Sequence, residues 1–432
     1  MSPLWCLVLT VRVARRPLWF YSSFAGSVTT GPLSTFLAIY VLKQGYSVVY
    51  YSLIVSQASL ATILAALVWG ALMDRGYRRS LFLIVSYAGI LLSVVAMYAS
   101  RNIVLIGSAY VGLNFFSAAS APAANLLVMQ SWKRQEWSSV YGYYLFLGSM
   151  GGVVGLVLSA LWTVFLPLDT LLLPLIIFSF VATALAATSL RVEAIPVERR
   201  AILLDKSSFL HRVTLNPSFY LRVPRADDFK RISKMLRNAF TRPTPILYIS
   251  LLVFNLGSGI FNTAFNPSLY VRHVTESLVF GVNIFSMLIQ GFTMRRSGDL
   301  IPEGSERRAA QRGLVYRAAG YLATAASVNY LVSLPLAVTA ALSFALAGGY
   351  AYSLVYVSLT MLVFRTLPPT RQGGLLGVVS ALSGIGAFTG SLLSGALAEK
   401  IGYTPTDIVA AALMLSTMVI LRVGINEKNT HI

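Results

Sequence analysis

Three asparagines form one stripe in an apolar stretch of this chain. Asn255, Asn262 and Asn266 are spaced by seven and four residues, two turns and one turn of a helix, so they share a face. Each carries two N–H donors and a carbonyl acceptor and none of them titrates, which suits hydrogen bonding to a polar solute rather than proton transfer. Ser23, Ser27, Thr30 and Ser34 repeat the arrangement, at spacings of four, three and four, in the first apolar stretch. Gln57, Asn114, Asn283, Gln290, Asn329 and Tyr356 are further neutral groups set in apolar sequence. Polar groups in lipid must be satisfied, so such residues predict either a polar cavity or bonds between helices. For any single residue a helix–helix bond serves as well as a ligand contact; the asparagine stripe as a whole favours a ligand site. Asn255, Asn262, Asn266, Ser27, Thr30, Asn114, Gln57, Asn283 and Tyr356 are therefore the candidate substrate contacts, and the expected substrate is a small neutral or weakly charged organic solute. Pro32 and Pro267, one in each of the two polar stripes, would loosen their helices and turn backbone groups toward a cavity.

The residues that catalysis or metal binding would need are not gathered anywhere. Of 15 acidic residues, none is expected at the centre of an apolar stretch. Asp169 and Asp407 follow Pro167 and Pro405 and read as helix caps. His211, His273 and His431 fall in loops or the tail, and Cys6 is the single cysteine, so no internal disulfide forms. No cofactor, metal or enzymatic site is expected, nor proton coupling through a membrane-embedded acid.

The elements that must position the amides are membrane-spanning helices. Hydrophobic residues make up 56% of the 432 and charged residues only 11%, against about a quarter charged in soluble domains; the mean hydropathy is +0.71. About 20 apolar residues cross a bilayer core, and twelve stretches meet that length: 18–41, 47–73, 80–100, 103–128, 139–165 and 168–190, then 243–270, 276–294, 313–332, 334–363, 373–398 and 404–424. The net charge of +19 suggests nucleic acid until its placement is considered. With both termini (1–17 and 425–432) on the cytoplasmic side, thirty of the 34 Lys and Arg fall on that side, counting six in 295–317. Only Lys43, Arg101, Arg272 and Lys400 fall opposite, as the positive-inside rule requires. The basic charge orients the chain in a cell membrane and faces anionic headgroups; nucleic acid is not an expected partner. The N-terminus runs apolar before basic, the reverse of a cleaved secretory signal. A segment at 191–242 divides six spans (18–190) from six (243–424). Phe229, Ile232, Leu236 and Phe240 against Lys230, Arg231, Lys234 and Arg237 make part of it an amphipathic helix for the membrane surface.

The two halves repeat each other. At an offset of 235 residues Gly142, Leu147, Gly151, Gly155, Leu158 and Ser159 match Gly377, Leu382, Gly386, Gly390, Leu393 and Ser394, and Pro32 matches Pro267. Gly151 with Gly155, and Gly386 with Gly390, are small-xxx-small pairs that let helices approach closely, and packing accounts for them.

Between the second and third spans stands Gly70-Ala71-Leu72-Met73-Asp74-Arg75-Gly76-Tyr77-Arg78-Arg79. As a bare feature it is a charged anchor outside the hydrocarbon, with Asp74 able to accept from free N–H groups at a helix start. It also resembles the loop after the second helix of major facilitator superfamily transporters, G-x-L-x-D-R-x-G-R-R, with the glycine one place early. With the duplicated halves, the resemblance runs the length of the chain. It implies an all-α polytopic fold of twelve transmembrane helices in two pseudo-symmetric six-helix bundles. It further implies solute transport by alternating access, with Gly70, Asp74, Arg75, Arg78 and Arg79 holding one access state. The fifth span lacks the Gly-Pro of antiporter-type members, and the fourth lacks the arginine common in proton-coupled ones. An exporter of lipophilic compounds and a non-transporting membrane sensor remain alternatives within the same fold.

Overall fold

The computed structural model describes residues 17–75, 79–132, 137–189, 245–296, 300–301, 304–366 and 372–424. Apolar sequence without water to bond its backbone folds into helices, and the described chain is helix joined by tight turns. Numbered by span, α1 is Phe20–Lys43, α2 Val48–Arg75, α3 Arg79–Ala99, and α4 runs Ile103–Ser117 and resumes at Ser120–Ser131. α5 is Trp137–Phe165, and α6 is Leu172–Ser189 behind a short 3-10 turn at Leu168–Leu171. The second half has α7 Pro245–Val271, α8 Glu276–Arg295 and α9 Glu306–Tyr330. There α10 is Ser333–Phe344 and Tyr352–Thr366 joined through a π-helical segment Ala345–Ala351, followed by α11 Gln372–Ile401 and α12 Tyr403–Gly424.

Among the described residues, eleven helices are long and apolar enough to cross a membrane. The twelfth, α9, is not apolar by composition: it opens Glu306-Arg307-Arg308 and carries Arg312 and Arg317. It nonetheless packs against α12 and α10 within the second bundle. The stretch expected to span at 313–332 is part of a helix that begins seven residues earlier. The helix starts at Glu306, and Arg317 is buried on the same face as Gly313, Gly320 and Tyr321.

The halves share one packing device. In the first, α5 lies against α1, and methyl groups placed on Gly151 and Gly155 would land on the carbonyls of Phe24 and Val28. In the second, α11 lies against α7, and methyl groups on Gly386 and Gly390 would land on the carbonyls of Leu252 and Leu256. The bundles then meet along α2 with α11 and α5 with α8. Pro32 and Pro267 both sit inside continuous helices. The linker 191–242 with its amphipathic stretch lies outside the described residues, as does Arg78. For Gly70, Asp74, Arg75 and Arg79 only membership of α2 or α3 is described.

Candidate functional site

Where the bundles meet, a cavity of about 510 Å³ opens, walled by residues of both halves. The first half contributes Ser34 of α1, Tyr51 and Ser59 of α2, and Tyr110 of α4. The second contributes Asn255, Ser258, Asn262 and Asn266 of α7, Asn283 and Gln290 of α8, and Tyr352 of α10. The asparagine stripe thus faces a shared polar space, but its members differ. Asn266 donates to Thr35 Oγ1 of the first half at 3.3 Å and accepts from Asn283 Nδ2 at 2.9 Å. Asn283 also donates to the Val279 carbonyl at 2.8 Å, so these two amides tie helices together. Asn255 donates to the Leu251 carbonyl at 2.8 Å. Asn262 is exposed to the cavity, so of the stripe it offers most to a ligand.

Several candidates fall outside this wall. Thr30 Oγ1 bonds the Gly26 carbonyl at 3.2 Å, and Asn114 Nδ2 the Tyr110 carbonyl at 2.8 Å, each within its own helix. Ser27 lies against Gly148 of α5, and Gln57 and Tyr356 are exposed away from the cavity lining.

The wall also holds a cation. Arg317, 1% exposed, donates from Nε to Tyr321 Oη at 2.7 Å, from one terminal nitrogen to the Ala347 carbonyl at 3.3 Å and from the other to Ser258 Oγ at 3.2 Å. The rings of Tyr352, Phe254 and Tyr321 lie 5.0, 5.2 and 5.3 Å from its guanidinium carbon. Among the described residues no carboxylate lies within ion-pair distance of it. Among the described residues three of its five N–H groups have partners, which leaves two. The Ala347 carbonyl belongs to the π-helical segment, whose widened turn frees backbone groups from the helical ladder; such segments recur at functional sites. A buried charge costs several kcal/mol unless compensated. Three facing rings offset part of that at about 0.5–2 kcal/mol each. Arg317 thus adds one positive charge to a wall whose other polar groups, as expected from sequence, are neutral.

The reading of Asp407 as a helix cap is corrected. It stands one turn inside α12, fully buried, and among the described residues neither carboxylate oxygen meets a hydrogen-bond donor, so no cap bond forms there. Asp169 is exposed in its 3-10 turn, which has no side-chain cap bond.

At the end of the bundles where α1 finishes and α8 begins, Lys43 Nζ pairs with Glu276 Oε1 at 2.6 Å, joining the halves. With the Asn266–Thr35 bond it is a second polar tie between the halves. Glu276→Gln removes the pair. An exposed pair contributes about 0.2–1 kcal/mol, so the open population at this end is expected to rise by up to about fivefold. Spin labels at the exposed Tyr46 and Val332, on opposite halves, measure it; distances identical to wild type would show that the pair holds nothing closed.

Comparison with known proteins agrees with this geometry. The sequence profile described as Major Facilitator Superfamily matches residues 18–373, while no curated protein matches the chain. Among solved structures, a POT family transporter in complex with a thioalcohol-conjugated peptide aligns at TM-score 0.69 and 10% identity, covering 94% of this chain and 95% of that one. The nucleoside transporter NupG, in a mutant form, aligns at 0.67 and 13%, covering 95% and 99%. The human organic anion transporter MFSD10 (TETRAN) aligns at 0.59 and 16%, covering 94% and 98%. At these identities the structures speak for the fold. A family match over most of its length, on a twelve-span fold with a polar cavity between two bundles, makes this chain a member of the major facilitator superfamily, a multi-pass membrane transporter.

Proposed function

We propose that this transporter moves a small organic anion by alternating access, with the anionic group held by the two spare N–H groups of Arg317. The rest of the solute lies against Asn262, Gln290 and the facing tyrosines of the first half. The carrying observation is a buried guanidinium in the cavity wall with no carboxylate partner. The proteins of similar fold are named for an organic anion, peptides and a nucleoside, so the fold does not choose the cargo; Arg317 does, because an ionisable group inside a membrane marks a ligand pathway. The Lys43–Glu276 end is then the outer, closed one, with the termini cytoplasmic in a cell membrane, and the two bundles, 18–190 and 243–424, rock about the cavity. For the alternative of a lipophilic-compound exporter, Arg317 disfavours cationic cargo, since a cation there meets like charge.

The test is thermal stability of the purified protein in detergent against carboxylates, organic phosphates, sugars, nucleosides, amino acids and lipophilic cations. A ligand specific to the folded state stabilises by RT ln(1 + [L]/Kd), about 2.7 kcal/mol at one hundred times Kd. Hits among the anions, followed by uptake of the same compounds into proteoliposomes, are expected. Hits confined to cations or neutral solutes would sink the reading, and a blank panel would favour a non-transporting sensor.

A further inference from the structure

The first half brings two phenols to the cavity that the protein itself does not use. Tyr51 of α2 and Tyr110 of α4 are 2% and 8% exposed, and both line the cavity. The antiparallel α2 and α4 touch where Ile54 faces Gly107; a methyl group placed on Gly107 would stand 3.1 Å from Ile54 Cδ1. Three residues back along α2 and three forward along α4, that register sets Tyr51 level with Tyr110. The two phenols lie within electrostatic reach of each other. Among the described residues the Tyr51 oxygen meets no hydrogen-bond partner, and it is not sealed from the cavity. The Tyr110 oxygen is approached by the Asn114 amide, one turn on in its own helix. That amide is a donor, so the phenol's own proton stays unspent. Another tyrosine pair of the same half shows the contrast: Tyr87 of α3 and Tyr144 of α5, equally buried, share a hydrogen bond at 3.3 Å between their oxygens.

A phenol proton left unbonded in a buried wall is unfavourable, and an acceptor on a ligand removes that cost. Two such protons side by side suit the two lone pairs of one carbonyl oxygen. The charged residue of the lining, Arg317, belongs to the other half. A second carboxylate placed on the phenols would therefore lose its water without gaining a counter-charge, whereas a neutral carbonyl gives up little. We propose that Tyr51 and Tyr110 form a second recognition pole of the cavity, taking a neutral carbonyl oxygen of a solute whose anionic group lies on Arg317. The substrate class narrows to monoanionic acids with an amide, ester or ketone carbonyl remote from the charge. Plain alkyl acids leave both phenols unbonded, and dicarboxylates bring a charge to a pole that has no cation, so both bind less tightly. This rests on Arg317 as the anion anchor, but uncharged probes test the phenol pair separately.

The measurement is binding to the full chain in detergent, read from ligand-induced thermal stabilisation, for wild type, Tyr51→Phe, Tyr110→Phe and Tyr87→Phe. The probes are N-acetyl amino acids of increasing length, from N-acetylglycine to N-acetyl-ε-aminocaproate. Each is set beside the alkyl acid and the dicarboxylate of equal length, and beside the uncharged primary amides of the acetyl and alkyl acids. The expected result is an acetyl acid that binds the wild type more tightly than its alkyl and dicarboxylate matches. Tyr51→Phe and Tyr110→Phe each weaken that acid by about 2- to 12-fold, the worth of one hydrogen bond, and leave the alkyl acid unchanged. Without ligand these two variants melt at or above wild type, because an unpartnered hydroxyl is lost, while Tyr87→Phe breaks a bond and melts lower. Acetyl probes, charged and uncharged alike, that bind no better than their alkyl matches at every length overturn the proposal. So does a preference that survives both substitutions. Lower melting or failed folding in Tyr51→Phe and Tyr110→Phe would make the hydroxyls structural and overturn it as well. Acetyl amides that bind as tightly as the acids, and lose this in the two variants, would keep the phenol pole and retire Arg317 as the anion anchor.

Discussion

Replacing Arg317 by glutamine is expected to weaken anion binding by about 30- to 1000-fold, the equivalent of about 2–4 kcal/mol for losing one partner of a buried charge-assisted contact. Arg317→Lys keeps the charge but loses the planar fork that reaches Tyr321, Ser258 and the Ala347 carbonyl together, and should fall between the two. The sign of the stability change separates this from a structural role. If the guanidinium served only to hold α9 to α7 and α10, its loss would lower the melting temperature of the empty protein. If it is a cation kept ready for an anion, the empty protein carries a charge that is not fully compensated. Glutamine would then leave the melting temperature unchanged or raised while ligand-induced stabilisation disappears. Titrations of the two variants with whichever carboxylate or phosphate stabilises the wild type decide it; a lower melting temperature with unchanged anion affinity would remove Arg317 from the site.

Arg317 also shows where the sequence stopped being readable. The twelve spans were legible because lipid leaves a run of about 20 apolar residues few alternatives. α9 broke that signal: its first three turns are basic, and hydropathy does not distinguish a charged loop from a helix whose charges sit at its start and in its inner wall. A helical reading carried back from Tyr321 to Arg317 and Gly313, in steps of four, would have found the face. Asp407 was hidden by Pro405, since an acid just after a proline is ordinarily a cap; only the packing of α12 on α9 and α7 reveals its burial. Within the asparagine stripe, spacing placed three amides on one face but did not separate Asn262, open to the cavity, from Asn266, tied to Thr35 and Asn283. That difference belongs to neighbouring helices far away in sequence. The π-helical turn whose Ala347 carbonyl accepts from Arg317 left no sign beyond the pair Gly348-Gly349.

The glycine pairs, by contrast, were legible as a repeat, and their cost of substitution follows from the geometry. Gly155→Ala and Gly390→Ala each put a methyl group into a backbone carbonyl of the helix opposite, Val28 in the first half and Leu256 in the second. A carbonyl in a helix cannot move without its whole turn, so the two helices must separate, and overpacking of this kind costs about 1–3 kcal/mol. Helix propensity acts the other way, since alanine is favoured over glycine by about 0.8–1 kcal/mol in a helix interior. Gly281 of α8 isolates that opposing effect, because a methyl group there meets nothing within 4 Å. The expected order of melting temperature in detergent is therefore Gly281→Ala at or above wild type, with Gly155→Ala and Gly390→Ala below it by similar amounts. Similar losses would show that the duplicated sequence maintains the same contact, α5 on α1 and α11 on α7, in both bundles. If only one half suffered, the repeat would be a relic in the other, and the bundles would not rock as equivalent bodies. If neither suffered, the close approach of these helices would not be what the glycines are for.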